Sequence, residues 1–147
     1  MVRRALVRAS GVLALVMLPF AAAGCGDSPS SPSSYAPYSQ IDLVFGQGAS
    51  AETGKLVTLN YNGWLYDSTA ADNKGVQFAS SLTSGQIIYT AGDGSVIRGW
   101  EQGVLGMKEG GLRRLIIPPS LGYGTNRYTI IPPNATLVFE LELVKVE

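Results

Sequence analysis

The 147-residue sequence contains no histidine and only one cysteine, Cys25. Without histidine, no Ser-His or Cys-His catalytic arrangement can be built, and zinc sites that combine cysteine with histidine are excluded. A single cysteine cannot form a disulfide bond within the chain. These absences remove many nucleophilic and metal-dependent enzyme chemistries, and we predict that the protein uses no cofactor and no metal.

Charged residues are also scarce, at 15% of the sequence, and neither sign is in excess, with 11 Lys and Arg against 11 Asp and Glu. Arg3, Arg4 and Arg8 lie near the N-terminus, so 11 less 3 leaves 8 basic residues against 11 acidic residues in the remainder. No basic patch stands out there. The sequence therefore predicts that the protein does not bind nucleic acid.

The first 25 residues have the pattern of an export signal. The three arginines precede an apolar run at positions 11–23, which is too short to span a bilayer comfortably. Small residues at positions 22–24 then precede Cys25, and this arrangement resembles a bacterial lipobox, with Ala22 where leucine is usual. We predict a lipoprotein-type signal peptide over residues 1–25, ending at a lipidated Cys25.

Two other interpretations of this segment stay open: an ordinary secretory signal cleaved just before the cysteine, and an uncleaved anchor. Acylation accounts for a lone thiol in an exported chain, and on that ground we favour the lipoprotein. We expect an exported protein held at a membrane of the cell envelope through Cys25. The alternative is a soluble secreted or periplasmic protein.

The remaining chain divides into a tether and one domain. Serine and proline dominate residues 26–40, where apolar residues are too few to offset the conformational entropy lost on folding, so we predict a flexible tether. Residues 41–147 are long enough for one modest core, and nothing in them indicates more than a monomer.

Alternating apolar and polar residues predict several strands, whereas only one segment, residues 97–105, has convincing helical spacing. In the last strand, Leu137, Phe139, Leu141 and Leu143 share one face, and Glu140 and Glu142 share the wet face. An α+β fold follows, with an antiparallel sheet packed on one short α-helix. The predicted strands cover residues 55–66, 77–81, 86–90, 112–117 and 136–146.

Four motifs follow one another in the second half of the chain. Residues 96–103 read VIRGWEQG, residues 115–119 read LIIPP, residues 122–124 read GYG, and residues 130–141 read IIPPNATLVFEL. In this order they resemble the FKBP-type peptidyl-prolyl cis-trans isomerases, and the resemblance runs from about Gly54 to Glu147. It implies a curved antiparallel sheet wrapped around one short helix, with the active site between helix and sheet.

The implied reaction is rotation about an Xaa-Pro amide bond, which needs neither a nucleophile nor proton transfer. The resemblance implies Trp100 as the floor of a proline pocket, the Ile97 N–H and the Tyr123 hydroxyl as donors, and Ile131 in a mobile flap over the site. The walls would be Tyr61, Phe78, Val96, Ile97 and Phe139. The implied partners are proline-containing polypeptides, together with macrolides of the tacrolimus and rapamycin type.

The sequence departs from the family pattern near this pocket. Ala79 stands where the family has an aspartate acceptor, and Ile87 stands where it has a second aromatic residue. The flap at positions 124–130 is one residue short, and the loop at 67–75 is longer than in compact family members. Because Ala79 removes one hydrogen bond to a charged group and leaves the apolar pocket, we expect weakened activity and reduced macrolide affinity.

Two further functional hypotheses stay open. The pocket could hold a proline-containing segment of an envelope partner, with only vestigial catalysis, and Ala79 favours this binding module. A structural or adhesive surface lipoprotein that merely uses the fold is the other alternative.

Overall fold

Six strands form one antiparallel sheet within residues 35–147, the part of the chain that the computed structural model describes. The long strands alternate apolar and polar residues, so each buries one side of the sheet. The strands are β1 (Ser39–Val44), β2 (Leu56–Tyr66), β3 (Lys74–Ser80), β4 (Ile87–Thr90), β5 (Leu112–Ile117) and β6 (Leu137–Val146). The helices are α1 (Ser81–Ser84) and α2 (Arg98–Val104), and short 3-10 turns cover Ala71–Asn73 and Pro119–Leu121.

The strand order β1-β5-β6-β2-β3 places the two longest strands, β6 and β2, side by side. β4 pairs with β2 along residues 56–59, whereas β3 pairs along residues 62–66 of the same edge. The extended segment predicted through residue 81 instead turns into α1 at Ser81. The Ser81 hydroxyl accepts a hydrogen bond from the Tyr61 N–H at 3.1 Å, so Tyr61 lies at the break between two edge strands.

The helix α2 packs on one face of the sheet and closes the hydrophobic core. Gly99 and Gly103 permit a close approach, since a Cβ atom at Gly99 would lie 2.6 Å from Ile117 Cγ2 and one at Gly103 would overlap Leu115. In β6, the four residues predicted to share one face are all buried in this core: Leu137, Phe139, Leu141 and Leu143.

The opposite face of the sheet carries a small ion-pair network beside the loop that precedes β3. Lys74 lies 2.6 Å from the Glu140 carboxylate and 4.6 Å from the centroid of the Trp64 ring. Arg114 pairs with the same carboxylate and with Asp72, each at 2.9 Å. Glu140 therefore lies on the predicted face, but its partners cover most of its side chain.

The sequence pattern predicts no strand before residue 55, and β1 is the main addition that the structure makes. It begins at Ser39, two residues before the expected start of the domain, and Tyr38 already packs against the core. Ile41 is 61% exposed, whereas Asp42 pairs with Arg113, which is only 8% exposed. Periodicity fails at this edge strand because its inward-facing position holds a carboxylate that pairs with a buried arginine.

The helix begins one residue later and ends one residue earlier than predicted. Ile97 is its N-cap, with extended backbone angles, so Val96 and Ile97 precede α2 and do not lie on its apolar face. Both residues still pack against the core. No helix within residues 35–147 is both long and apolar enough to cross a bilayer.

Candidate active site

A cavity of about 480 Å³ opens between α2, the sheet and the loop after β5. All eight predicted site residues line it: Tyr61, Phe78, Val96, Ile97, Trp100, Tyr123, Ile131 and Phe139. They come from β2, β3, the segment before α2, α2 itself, the loop before β6, and β6. The fold thus brings together residues that are up to 78 positions apart in sequence, although their roles in binding and catalysis stay predictions.

The inner part of this cavity is a cluster of four aromatic rings in edge-to-face contact. The Trp100 ring lies 5.1 Å from that of Phe139 at 87°, and 5.4 Å from that of Tyr61 at 62°, between centroids. Phe78 meets Phe139 at 5.4 Å and 90°. Each such pair contributes about 0.5–1.5 kcal/mol beyond the burial of its area, so the cluster forms a rigid apolar surface.

Gly63 on β2 leaves the room that two of these rings occupy. A Cβ atom built there would lie 2.6 Å from Phe139 Cε1 and 2.9 Å from Phe78 Cζ. Any larger residue at this position would displace the rings, so the shape of the cavity depends on this glycine.

The segment before α2 presents a free backbone donor to the cavity. The Ile97 carbonyl accepts from the N–H groups of Trp100 and Glu101, at 2.9 and 3.2 Å, which starts the helix. The Ile97 N–H donates to no other described residue. The preceding turn is fixed because the Glu101 carboxylate accepts from the N–H groups of Gly92 and Gly94, at 2.6 and 3.0 Å. Ile97 lines the cavity, and its N–H is left unpaired within residues 35–147.

The mouth of the cavity is formed by the loop between β5 and β6. The rings of Tyr123 and Tyr128 are stacked, with centroids 4.5 Å apart and planes at 7°. Tyr128 and Ile131 exchange two backbone hydrogen bonds, of 3.1 and 2.8 Å, and Thr129 between them has a φ of 48°. This tight turn holds the Ile131 side chain, which is 2% exposed, against the cavity.

None of the side chains that line the cavity is charged, although seven of the fourteen lining residues carry a hydroxyl or an indole N–H. Burial raises the pKa of the Tyr123 hydroxyl, and the neighbouring Tyr128 and Tyr61 raise it further, so this hydroxyl stays a donor at neutral pH. The Trp100 indole N–H is buried without a hydrogen-bond partner in residues 35–147. The same residues contain no cluster of three or more side chains suited to holding a metal ion.

Ala79 and Ile87, the two departures noted in the sequence, both line this cavity. Ala79 supplies no side-chain acceptor, and Ile87 extends the apolar wall. Four further residues line the cavity and were not predicted from the sequence: Ser84, Ser95, Tyr128 and Thr129. Only Tyr128 carried a signal that could have been used, as an aromatic residue inside the short flap between two recognisable motifs.

Comparison with known proteins agrees with this geometry. The profile of the FKBP-type peptidyl-prolyl cis-trans isomerase family matches residues 47–144. The chain belongs to this family, as its ordered motifs predict, and it is a peptidyl-prolyl cis-trans isomerase. The predicted fold class is also confirmed, since the antiparallel sheet with its short helix matches FKBP structures.

Individual relatives cover most of the folded part. The FK506-binding protein of Neisseria meningitidis serogroup B is 48% identical over 107 residues, which cover 71% of this chain and 92% of that protein. The crystal structure of AtFKBP13 is 32% identical with a TM-score of 0.64, over 75% of this chain and 93% of that chain. FkpA from Escherichia coli is 37% identical with a TM-score of 0.62, and the match spans 48% of FkpA.

Proposed function

We propose that this isomerase is anchored to a cell-envelope membrane through a lipidated Cys25 and acts on prolyl bonds of exported polypeptides. The catalytic part of the proposal rests on one observation: the eight residues implied by the motifs line a single uncharged cavity with an unpaired backbone N–H at Ile97. The anchoring part rests on the sequence before residue 26.

The cavity suits a reaction in which no bond breaks. Rotation about a peptide bond has a barrier of about 18–20 kcal/mol, because the planar amide loses its resonance on twisting. A catalyst lowers this barrier by binding the twisted amide more tightly than either planar isomer. Packing of the aromatic rings against the amide would also remove hydrogen bonds from water that favour the planar, resonance-polarised form.

Each part of the cavity has a role in this proposal. The proline ring lies against Trp100, between the walls formed by Tyr61 and Phe139. The Ile97 N–H and the Tyr123 hydroxyl donate to carbonyl oxygens of the substrate as the amide rotates, and Ile131 covers the ring. Both donors are positioned before the substrate arrives, so little reorganisation is needed in the transition state.

Macrolides are the second class of ligand. The name of the Neisseria relative states that it binds FK506, and this chain keeps the aromatic cavity. Ala79 offers no acceptor for a ligand hydroxyl, so we propose that macrolides of the tacrolimus and rapamycin type bind with lower affinity than to a homologue with aspartate at that position.

Isomerase turnover is tested with the full chain in detergent, by measuring cis-to-trans exchange of a Leu-Pro tetrapeptide by NMR without a coupled protease. Acceleration should be lost in Trp100→Leu and kept in Trp64→Leu. Trp64 is the other tryptophan and lies on the opposite face of the sheet, so it controls for a general loss of tryptophan. Equal turnover in both folded variants would contradict the assignment of the cavity.

Ala79 also favours a second candidate, a binding module that holds a proline-containing segment with little turnover. It predicts micromolar binding of prolyl peptides, abolished by Trp100→Leu, without acceleration of exchange.

The anchor is tested separately, by fractionating cells that express the parent chain or Cys25→Ser. The parent should sediment with membranes and carry acyl mass on its N-terminal peptide, and the variant should not. An unmodified, soluble parent chain would refute the anchor and leave the isomerase unaffected.

A further inference from the structure

Tyr123 is the cavity residue whose hydroxyl we propose as a donor, yet no hydrogen bond to another residue in 35–147 fixes it. Its ring touches the core on one side and stacks on Tyr128 on the other, with centroids 4.5 Å apart. The planes differ by only 7°, so the two rings overlap face to face. The direction of the Tyr123 hydroxyl therefore depends on packing alone.

The position of Tyr128 is well determined by the backbone. Its N–H donates to the Ile131 carbonyl at 3.1 Å, and its carbonyl accepts from the Ile131 N–H at 2.8 Å. Two parts of the loop between β5 and β6 are also joined, since the Asn134 N–H donates to the Gly124 carbonyl at 2.8 Å. One turn thus joins the ring that stacks on Tyr123 to Ile131, which is almost fully buried in the cavity.

We infer that Tyr128 is a positioning residue of this isomerase: its ring holds the Tyr123 hydroxyl toward the substrate, and its backbone holds Ile131 over the cavity. The inference rests on the proposed role of the Tyr123 hydroxyl. Tyr128 itself is 53% exposed, so it adds little to the core, and its contact with Tyr123 is the feature that the rest of the fold does not supply.

The physical basis is preorganisation. A tyrosine ring without a hydrogen bond moves between rotamers, and each wrong rotamer removes the donor from the reaction. Stacking on a second ring restricts that motion before the substrate binds. The stack needs the aromatic ring of residue 128 and not its hydroxyl, which makes phenylalanine the conservative replacement and alanine the disruptive one.

The test is a double-mutant cycle on the full chain, with kcat and KM measured for the Leu-Pro tetrapeptide. Tyr128→Ala should lower kcat/KM by about two- to tenfold, mostly through kcat, and Tyr128→Phe should restore it. Tyr123→Phe should lower activity at least as much. In the Tyr123→Phe background, Tyr128→Ala should then add less than a twofold loss, because no hydroxyl remains to be positioned.

A second readout reports on the stack directly. Burial and the neighbouring Tyr128 raise the pKa of Tyr123, so Tyr128→Ala should lower that pKa toward the ordinary value of 10.0, as followed by NMR of ring-labelled tyrosine. Tyr128→Phe should shift it less, since its ring keeps Tyr123 covered.

The outcomes separate the inference from the function on which it rests. An inactive parent chain refutes both. If the parent is active and Tyr128→Ala costs as much with Tyr123→Phe as without it, Tyr128 acts independently of Tyr123 and the inference is wrong. Unchanged activity in folded Tyr128→Ala, or in Tyr123→Phe, overturns it as well.

Discussion

Introducing a carboxylate at position 79 tests how this cavity works. Ala79 lines the cavity together with Tyr61 and Tyr123, whose hydroxyls have no hydrogen-bond partner in residues 35–147. An aspartate there could accept from the Tyr61 hydroxyl, which leaves the single hydroxyl proton of Tyr123 for the substrate. We expect Ala79→Asp to isomerise prolyl peptides faster than the parent chain, because a charged acceptor can fix the Tyr61 ring and add a hydrogen bond beside the rotating amide.

The size of the gain follows from the strength of one hydrogen bond to a charged group, about 1.5–3 kcal/mol. If the bond is fully used in the transition state, kcat/KM rises by about one to two orders of magnitude. No charged side chain lines the parent cavity, so the parent rate should not change between pH 5 and 9. The gain in Ala79→Asp should disappear as the pH falls through the pKa of the new carboxyl, because only the ionised carboxylate is a charged acceptor.

The matched control is Ala79→Asn, which has the same shape and cannot ionise. Exchange NMR of a Leu-Pro tetrapeptide at pH 4, 5.5 and 7, with urea unfolding of each variant, separates charge from packing. A folded Ala79→Asp that is no faster than Ala79→Asn at any pH would refute the reasoning about the unpaired hydroxyls. A large gain would show that the natural cavity is tuned away from maximal turnover.

Two further predictions concern the frame around the cavity. Gly63→Ala should lower the free energy of unfolding by about 1–3 kcal/mol and reduce turnover, because the added methyl overlaps Phe139 and Phe78, and urea unfolding at an unchanged m-value measures this. A Gly63→Ala chain with parental stability and rate would contradict the close contact. Asp42→Asn should lower the free energy of unfolding by about 1–3 kcal/mol, since Arg113 loses its charged acceptor at 2.6 and 3.0 Å and keeps the Gly103 carbonyl at 2.8 Å, and a loss below about 1 kcal/mol in urea unfolding would show that the pair is dispensable.

The long strands and the cavity aromatics could be predicted from the sequence, and β1 could not. In β6 the alternation of Leu, Phe and Glu matches burial, since this strand is paired on both sides, with β5 and β2, and Phe139 on its inner face contacts Trp100 of α2. In β1, apolar Ile41 is exposed and acidic Asp42 faces inward, because a buried Arg113 on β5 reverses the usual preference. This reversal is set by a partner 71 positions away in sequence, so the periodicity of neighbouring residues cannot predict it.

The residues of the candidate site also fall into those that could be predicted from the sequence and those that could not. Trp100 and Phe139 lie in motifs whose order identifies them, whereas Tyr128 lies in a flap without a recognisable pattern. The role inferred for Tyr128 rests on its stacking on Tyr123 and its hydrogen-bonded turn with Ile131, and neither contact can be seen in the sequence.

The two glycines of α2 bear on when the cavity forms during folding. Glycine costs about 1 kcal/mol in a helix interior, and a helix of seven residues is too short to persist alone in water. α2 therefore exists only once β5 is in place to receive Gly99 and Gly103, and β5 in turn is paired along its length with β6, the C-terminal strand. Since β6 also supplies Phe139, neither Trp100 nor Phe139 is in place in the cavity of a chain emerging from a ribosome until residues 137–146 have joined the sheet.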